Sequence, residues 1–184
     1  LAVMGQLMAK TVKGIKGHMD PADIQAGVRV DNIHFPPTTL LCVENTHNTA
    51  GGIPLTLDQM KSYWDVAKAN NLNVHLDGAR VFNAAVALGV DVKKIAKHVD
   101  TIQLCLSKGL AAPIGSLVVG PQDVIDKARK YRKMLGGGMR QAGIIAAPGI
   151  IAITEMVDRL ADDHANAKLL AEGLTKIGIK VVND

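Results

Sequence analysis

Three short apolar runs limit the folds open to this chain. TTLLCVE (38–44), NVHL (73–76) and TIQLCL (101–106) each read as a strand bound for an interior. Helical patterns separate them. Thr56 and Gln59 form a capping box ahead of a helix to about Asn70, with Leu57, Met60, Trp64 and Ala67 on one face. A second helix is predicted from about Ala79 to Leu88, closed by Gly89, and a shorter one from Asp91 to Lys97. SLVVG (116–120) follows TIQLCL too closely for a helical crossover, so these two are predicted to pair antiparallel. The order β-α-β-α-β-β-α-α implies an α/β fold: a mostly parallel sheet with helices on both faces.

The flanking segments fit this plan. Residues 1–12 read as a helix end. Asp20 is a suitable N-cap, with Pro21 at the first helical position. HFPP (34–37) is a loop, because two prolines deny it a ladder. Val124, Ile125, Ala128, Tyr131 and Leu135 recur at helical spacing, and three glycines (136–138) end that helix. Two further helical segments fill 140–176. The run AGIIAAPGIIAI (142–153) is too short to span a bilayer and is interrupted by Pro148 and Gly149, so it is expected to be a buried helix. The 184 residues, 48% of them apolar, suffice for one sizeable domain and disfavour disorder. A leucine at the start and VVND at the end read as a piece of a longer protein, and LAVMGQLMAKTVKG lacks the signal-peptide pattern. Cys42 and Cys105 fall inside predicted strands and are expected to be buried free thiols. That suits a reducing compartment, and a cytoplasmic location is expected.

Net charge is +4, but six of the 21 cations lie in KARKYRKMLGGGMR (127–140). The basicity is local, and aromatic residues make up only 3%. A nucleic-acid surface would need more stacking groups and a wider patch, so no nucleic-acid partner is expected.

In an open α/β sheet, ligands gather at the carboxyl ends of the strands. His47, Asp77 and Lys108 each follow a predicted strand. A lysine there, desolvated enough to lose its proton, is a nucleophilic amine that condenses with an aldehyde. Pyridoxal 5'-phosphate is such an aldehyde, and its pyridine nitrogen needs an acidic partner, a role open to Asp77. The 31-residue gap between Asp77 and Lys108 suits one helical excursion to a neighbouring strand. Taken singly, each group has a plainer reading. Lys108 can be a solvated loop lysine, and Asp77 before Gly78 a turn or N-cap residue. His47, His75 and His98 can be structural or exposed, and KARKYRK a solvated helix face.

Longer motifs add to this. HLDGAR (75–80), CLSKGLAAPIGS (105–116) and RKMLGGGMRQAGIIAAPGI (132–150) closely resemble the low-specificity L-threonine aldolases, as do NIHFPPTTLLCVENTHN (32–48) and MVDRLADDHANAKLLAEGL (156–174). The resemblance runs in order through nearly the whole chain. It implies the aspartate aminotransferase fold, type I of the pyridoxal phosphate enzymes, and retro-aldol cleavage of L-threonine or L-allo-threonine to glycine and an aldehyde. It implies that 1–150 are part of the cofactor-binding large domain, and that 151–184 are a long helix and the start of the small C-terminal domain.

The resemblance also implies roles. Lys108 matches the lysine that binds the cofactor as an internal aldimine, and Asp77 the aspartate on the pyridine nitrogen. Arg80 matches an arginine near the ring that helps hold the substrate carboxylate, a task suited to a guanidinium fork. His34 matches a histidine that hydrogen-bonds the substrate β-hydroxyl. Lys133 and Arg140 match basic residues reaching the cofactor phosphate of a neighbouring subunit in a homo-oligomer, a dimer or tetramer with shared sites. Ser107 is a further candidate phosphate contact. No metal and no membrane are implied. The family's glycine-rich phosphate contact and ring-stacking histidine lie upstream of this sequence, and another carboxylate-binding arginine lies downstream, so the chain alone is expected to be inactive. Two alternatives stay open. Other type I relatives carry out β-elimination, racemisation or transamination with the same Lys and Asp, and a non-catalytic assembly role would use neither.

Overall fold

A computed structural model describes residues 5–182 of the chain. Its centre is a four-stranded sheet of β3 (Leu40–Glu44), β4 (Asn73–Asp77), β5 (Thr101–Cys105) and β6 (Ser116–Val119), in that spatial order. The first three strands run parallel and β6 is antiparallel to β5, as the short connection demands. A two-residue hairpin, β1 (Gly14–Ile15) and β2 (His18–Met19), precedes them. Seven helices accompany the strands among the described residues: α1 (Pro21–Gly27), α2 (Leu57–Ala69), α3 (Val81–Leu88), α4 (Val92–Ala96), α5 (Gln122–Met134), α6 (Gly143–Glu155) and α7 (Leu160–Lys176).

The local signals act where the sequence places them. Asp20 caps α1 by accepting the Ala22 N–H at 2.8 Å, with Pro21 at the first helical position. Thr56 and Gln59 form both halves of a capping box at α2. The helix end expected over 1–12 lies partly outside the described residues, and from 6 to 13 the chain forms neither helix nor strand.

Strand alternation divides the sheet into two unlike faces. Leu41, Val43, Val74, Leu76, Ile102 and Leu104 are buried and join one apolar cluster with Met60, Tyr63 and Ala67 of α2, Val81, Ala84 and Ala85 of α3 and Ile95 of α4. The Tyr63 hydroxyl, inside that cluster, accepts the Met19 N–H at 2.9 Å and so ties the hairpin to the core. The alternate positions face the other way. Leu40, Cys42, Asn73, Asp77, Ser116 and Val118 are exposed, and His75, Thr101, Gln103 and Cys105 are half-buried. Among the described residues, the helical cover is dense on the first face and the second lies open.

Two expectations about burial change here, and one further stripe lies uncovered. Cys42 and Cys105 are free thiols, but neither is buried; both stand on the open face. Helix α5 forms as its periodicity predicts, yet no residue of it is buried, and Tyr131 and Met134 are 60% and 68% exposed. Helix α6 was expected inside the protein, but only Gly149 and Ala152 are buried, while Ile144 is 79% exposed. A periodic stripe says which side of a helix is apolar. It does not say what covers that side.

Candidate functional site

The parallel strands end together, and their last residues define the site. In register, Glu44 lies opposite Asp77, and Asp77 opposite Gln103. Asp77 is the final residue of β4 and is exposed. Its Oδ1 accepts the Ala79 N–H at 3.1 Å, which orders the turn into α3. Gly78 is required in that turn. A Cβ there would stand 2.9 Å from Ile102 Cγ2 and 3.0 Å from the Gln103 carbonyl, to which the Gly78 N–H donates at 2.8 Å.

An open cleft of about 870 Å³ lies against these strand ends, lined by Asp77, Cys42, Glu44 and His47, the loop 48–51 and the hairpin residues Lys16 and Gly17. The buried Asn45 side chain fixes the loop, donating to the Leu55 carbonyl at 3.3 Å and accepting the Leu55 N–H at 3.1 Å. Glu44 accepts the Asn48 N–H at 2.9 Å and stands 3.8 Å from His47 Nε2. The hairpin meets His47 through Gly17 at φ +80°, where any Cβ would lie 2.6 Å from the His47 Cβ.

Lys108 follows β5 in an exposed loop, with Ser107 exposed beside it. The desolvation expected for this amine is therefore not supplied by the described residues. Cys105 receives a hydrogen bond from Gln103 Nε2 at 3.3 Å and shares one with Ser116 Oγ at 3.4 Å. Burial pushes this thiol up, but the bonds to Ser116 and Gln103 and the Lys108 side chain outweigh it, and the thiol sits below its ordinary value. Cys105 is two residues beyond Gln103 on the face that carries Asp77. Standard sheet spacing puts the Asp77 and Cys105 Cα atoms about 8 Å apart. Lys108 follows the strand next to the one that Asp77 ends, but neither Lys108 nor Ser107 lines the cleft at Asp77.

The other nominated residues are placed elsewhere. Arg80 precedes α3 and is half-buried, but it lines a second cleft of about 850 Å³ together with Asn83, His164 and Lys168. Asn83 Nδ2 and His164 Nε2 are 3.3 Å apart there, linking α3 to α7. His34 is exposed, its backbone N–H donating to Asn32 Oδ1 at 2.8 Å. Lys133 and Arg140 are exposed at and beyond the end of α5, and a Cβ at Gly138 would collide with the Lys133 side chain. Neither these two nor His34 lines the Asp77 cleft. Among the described residues, no group of three or more His, Cys, Asp or Glu is placed to hold a metal ion, and no helix is long and apolar enough to cross a membrane.

Glu44, Gln103, Cys105 and Ser116 escaped the sequence reading. Their signal was the period-2 alternation, which places residues 42 and 44, 75 and 77, and 101, 103 and 105 on one face. His75 belongs to the same row, with Nδ1 2.8 Å from Thr101 Oγ1. Burial lowers its pKa below the ordinary 6.5, and the charge of Asp77 only partly offsets this. Between that lowered value and 6.5 the unfolded chain binds more protons than the folded one, so stability rises with pH across this window. The urea midpoint should fall as pH drops below 6.5, and His75→Gln should flatten the profile. Equal slopes for the two proteins would refute a half-buried, neutral His75.

Comparison with known proteins agrees with this geometry. The beta-eliminating lyase family model matches residues 1–184. Low-specificity L-threonine aldolase 1 of Arabidopsis thaliana is 45% identical over 98% of this chain and 52% of its own length. The low specificity L-threonine aldolase of Escherichia coli (strain K12) is 44% identical over 98% of this chain and 54% of its own. The chain spans about half the length of these curated relatives. Among solved structures, a Leishmania major threonine aldolase superposes with a TM-score of 0.77 at 21% identity, covering 92% of this chain and 50% of that one. Aspartate aminotransferase from Thermus thermophilus superposes at 0.63 with 18% identity, covering 90% and 43%. The structural likenesses establish an aspartate aminotransferase-like fold, of which this chain holds part. With a family match along its whole length, and an acid and an amine that follow neighbouring parallel strands, the chain belongs to the beta-eliminating lyases.

Proposed function

We propose that this chain carries part of the active site of a pyridoxal 5'-phosphate-dependent carbon–carbon lyase. The enzyme cleaves L-threonine and L-allo-threonine, β-hydroxy-α-amino acids, to glycine and an aldehyde. The observation that supports the reading is that Asp77 ends β4 while Lys108 follows β5, its parallel neighbour in the sheet. The names of relatives at 44% and 45% identity support the choice of reaction.

When bound, pyridoxal 5'-phosphate supplies an electron sink for the charge left at Cα. The chain's residues do the rest. Lys108 would hold the cofactor through Nζ. Asp77 keeps a proton on the ring nitrogen, so its carboxylate stabilises the charge that develops during cleavage. Arg80 grips the substrate carboxylate with its guanidinium fork. His34 hydrogen-bonds the β-hydroxyl, whose proton leaves as the Cα–Cβ bond breaks. Ser107 contacts the phosphate. Lys133 and Arg140, on the solvent-facing end of α5 and the segment beyond, reach the phosphate of a neighbouring copy in a homo-oligomer, a dimer or tetramer. Residues 1–150 belong to the cofactor-binding domain, and 151–184 form the long helix and the start of a smaller one. The working location is the cytoplasm.

Product identity tests this. Incubation of the cofactor-loaded complete enzyme that contains this chain with L-threonine should release acetaldehyde and glycine in equal amounts. Release of ammonia and a keto acid instead would replace aldol cleavage with β-elimination on the same Lys–Asp pair.

A further inference from the structure

We propose that Tyr63 is a positioning residue for the Asp77 cleft. From the helix-covered side of the sheet its hydroxyl pins the β1–β2 hairpin, whose tip forms one wall of that cleft and braces His47. The inference rests on the reading of Asp77 as the partner of the cofactor ring, given above. It assigns a task to a hydroxyl and a hairpin which that reading leaves idle.

Tyr63 is 1% exposed, so its hydroxyl must find partners inside the protein. Both partners are on β2. The hydroxyl accepts the Met19 N–H at 2.9 Å, and its own proton meets His18 Nδ1 at 2.5 Å. The two rings stack, with centroids 5.9 Å apart and planes 21° from parallel. Met19 also packs on the apolar cluster. Among the described residues, no other hydrogen bond joins residues 14–19 to the rest of the chain. The hairpin itself is short and stiff. Ile15 pairs with His18, so Lys16 and Gly17 alone make the turn, with φ of +50° and +80°. That left-handed pair is the mark of a two-residue hairpin turn, and it leaves the tip little freedom of its own. A pin at His18 and Met19 therefore fixes Lys16 and Gly17. Both tip residues line the cleft with Asp77, Glu44 and His47. Gly17 sits so close that a Cβ on it would fall 2.6 Å from His47 Cβ. His47 Nδ1 in turn accepts the Ala50 N–H at 3.3 Å, which orders the loop that lines the same cleft. Without the hydroxyl, Met19 N–H and His18 lose their partner, the tip moves off His47, and the cleft widens beside Asp77.

Hydrogen exchange on the complete enzyme that contains this chain, without cofactor, reads the pin. Tyr63→Phe, which removes one oxygen, should speed exchange over residues 14–19 by about tenfold and leave β4 and β5 as they are. Unchanged exchange over 14–19 overturns the pin. Titration with pyridoxal 5'-phosphate reads the positioning. In Tyr63→Phe the dissociation constant should rise by about 3- to 10-fold, the scale of one hydrogen bond, while kcat at saturating cofactor stays within about twofold of the parent. His18→Phe keeps a ring to stack but no acceptor. It should move the constant the same way by less, and it decides alone if Tyr63→Phe fails to fold. A general loosening of the core would instead lower the urea midpoint and leave the constant unchanged. An unchanged constant overturns the positioning role, as does a loss of kcat that saturating cofactor fails to restore. Should exchange rise while the parental enzyme itself takes up no cofactor, the reading of Asp77 falls, and the positioning role with it.

Discussion

In the complete enzyme that contains this chain, replacing Lys108 with alanine should abolish the yellow absorbance of the attached cofactor and the release of aldehyde from L-threonine. The expected loss is on the order of 10³–10⁶ in turnover, the range for removing a group that forms the covalent bond to the reacting partner. The fold should survive. Lys108 is exposed, and its loop is tied by backbone bonds from Ala111 N–H to the Lys108 carbonyl at 2.9 Å and from Ala112 N–H to the Leu106 carbonyl at 3.0 Å. The urea midpoint should therefore stay where it is while activity disappears. A variant that still turns yellow and still cleaves threonine would remove Lys108 from the reaction, whatever the motif around it resembles.

Asp77→Asn carries the second largest expected effect. Asparagine fills nearly the same volume, and its side-chain oxygen can still accept the Ala79 N–H that aspartate accepts now. What changes is the charge. A neutral amide cannot hold a proton on the ring nitrogen, so stabilisation of the charge developing at Cα weakens. A loss of about 10²–10³ in kcat is expected, the usual scale for removing one preorganised electrostatic contact. Cofactor affinity should fall as well. Steady-state rates and an equilibrium titration would measure the two separately. If the substituted protein keeps the parental kcat, the carboxylate serves only the turn into α3.

Much of this architecture is legible in the sequence because its signals are local. The capping box at Thr56 and Gln59, the proline after Asp20 and the apolar runs of β3, β4 and β5 each specify structure within a few residues. The strand ends then place Asp77 and Lys108 by topology, and HLDGAR and LSKG sharpen the choice. What is not legible depends on partners distant in sequence. The strands read as wholly interior because Leu40, Cys42 and Cys105 count as apolar in any pattern, although they stand on the open face. The stripe of α5 and the apolar run of α6 are plain to see, but their exposure follows from which elements lie beside them. The contacts of Cys105 have no sequence signature of their own. They depend on Ser116 arriving from an antiparallel neighbour and on Gln103 turning its amide along the strand.

The position of β6 at the rim of the sheet has one more consequence. Its outward N–H and C=O groups meet no further strand among the described residues, and all four of its side chains are exposed, Leu117, Val118 and Val119 included. An apolar rim of this kind is a template on which another extended segment can zip itself by main-chain bonding. Gly120 and Pro121 cut the strand to four residues, so that any such zipper stays short. Concentrated solutions of this polypeptide are thus protected from runaway stacking mainly by brevity, since neither a charge nor a proline interrupts the rim itself.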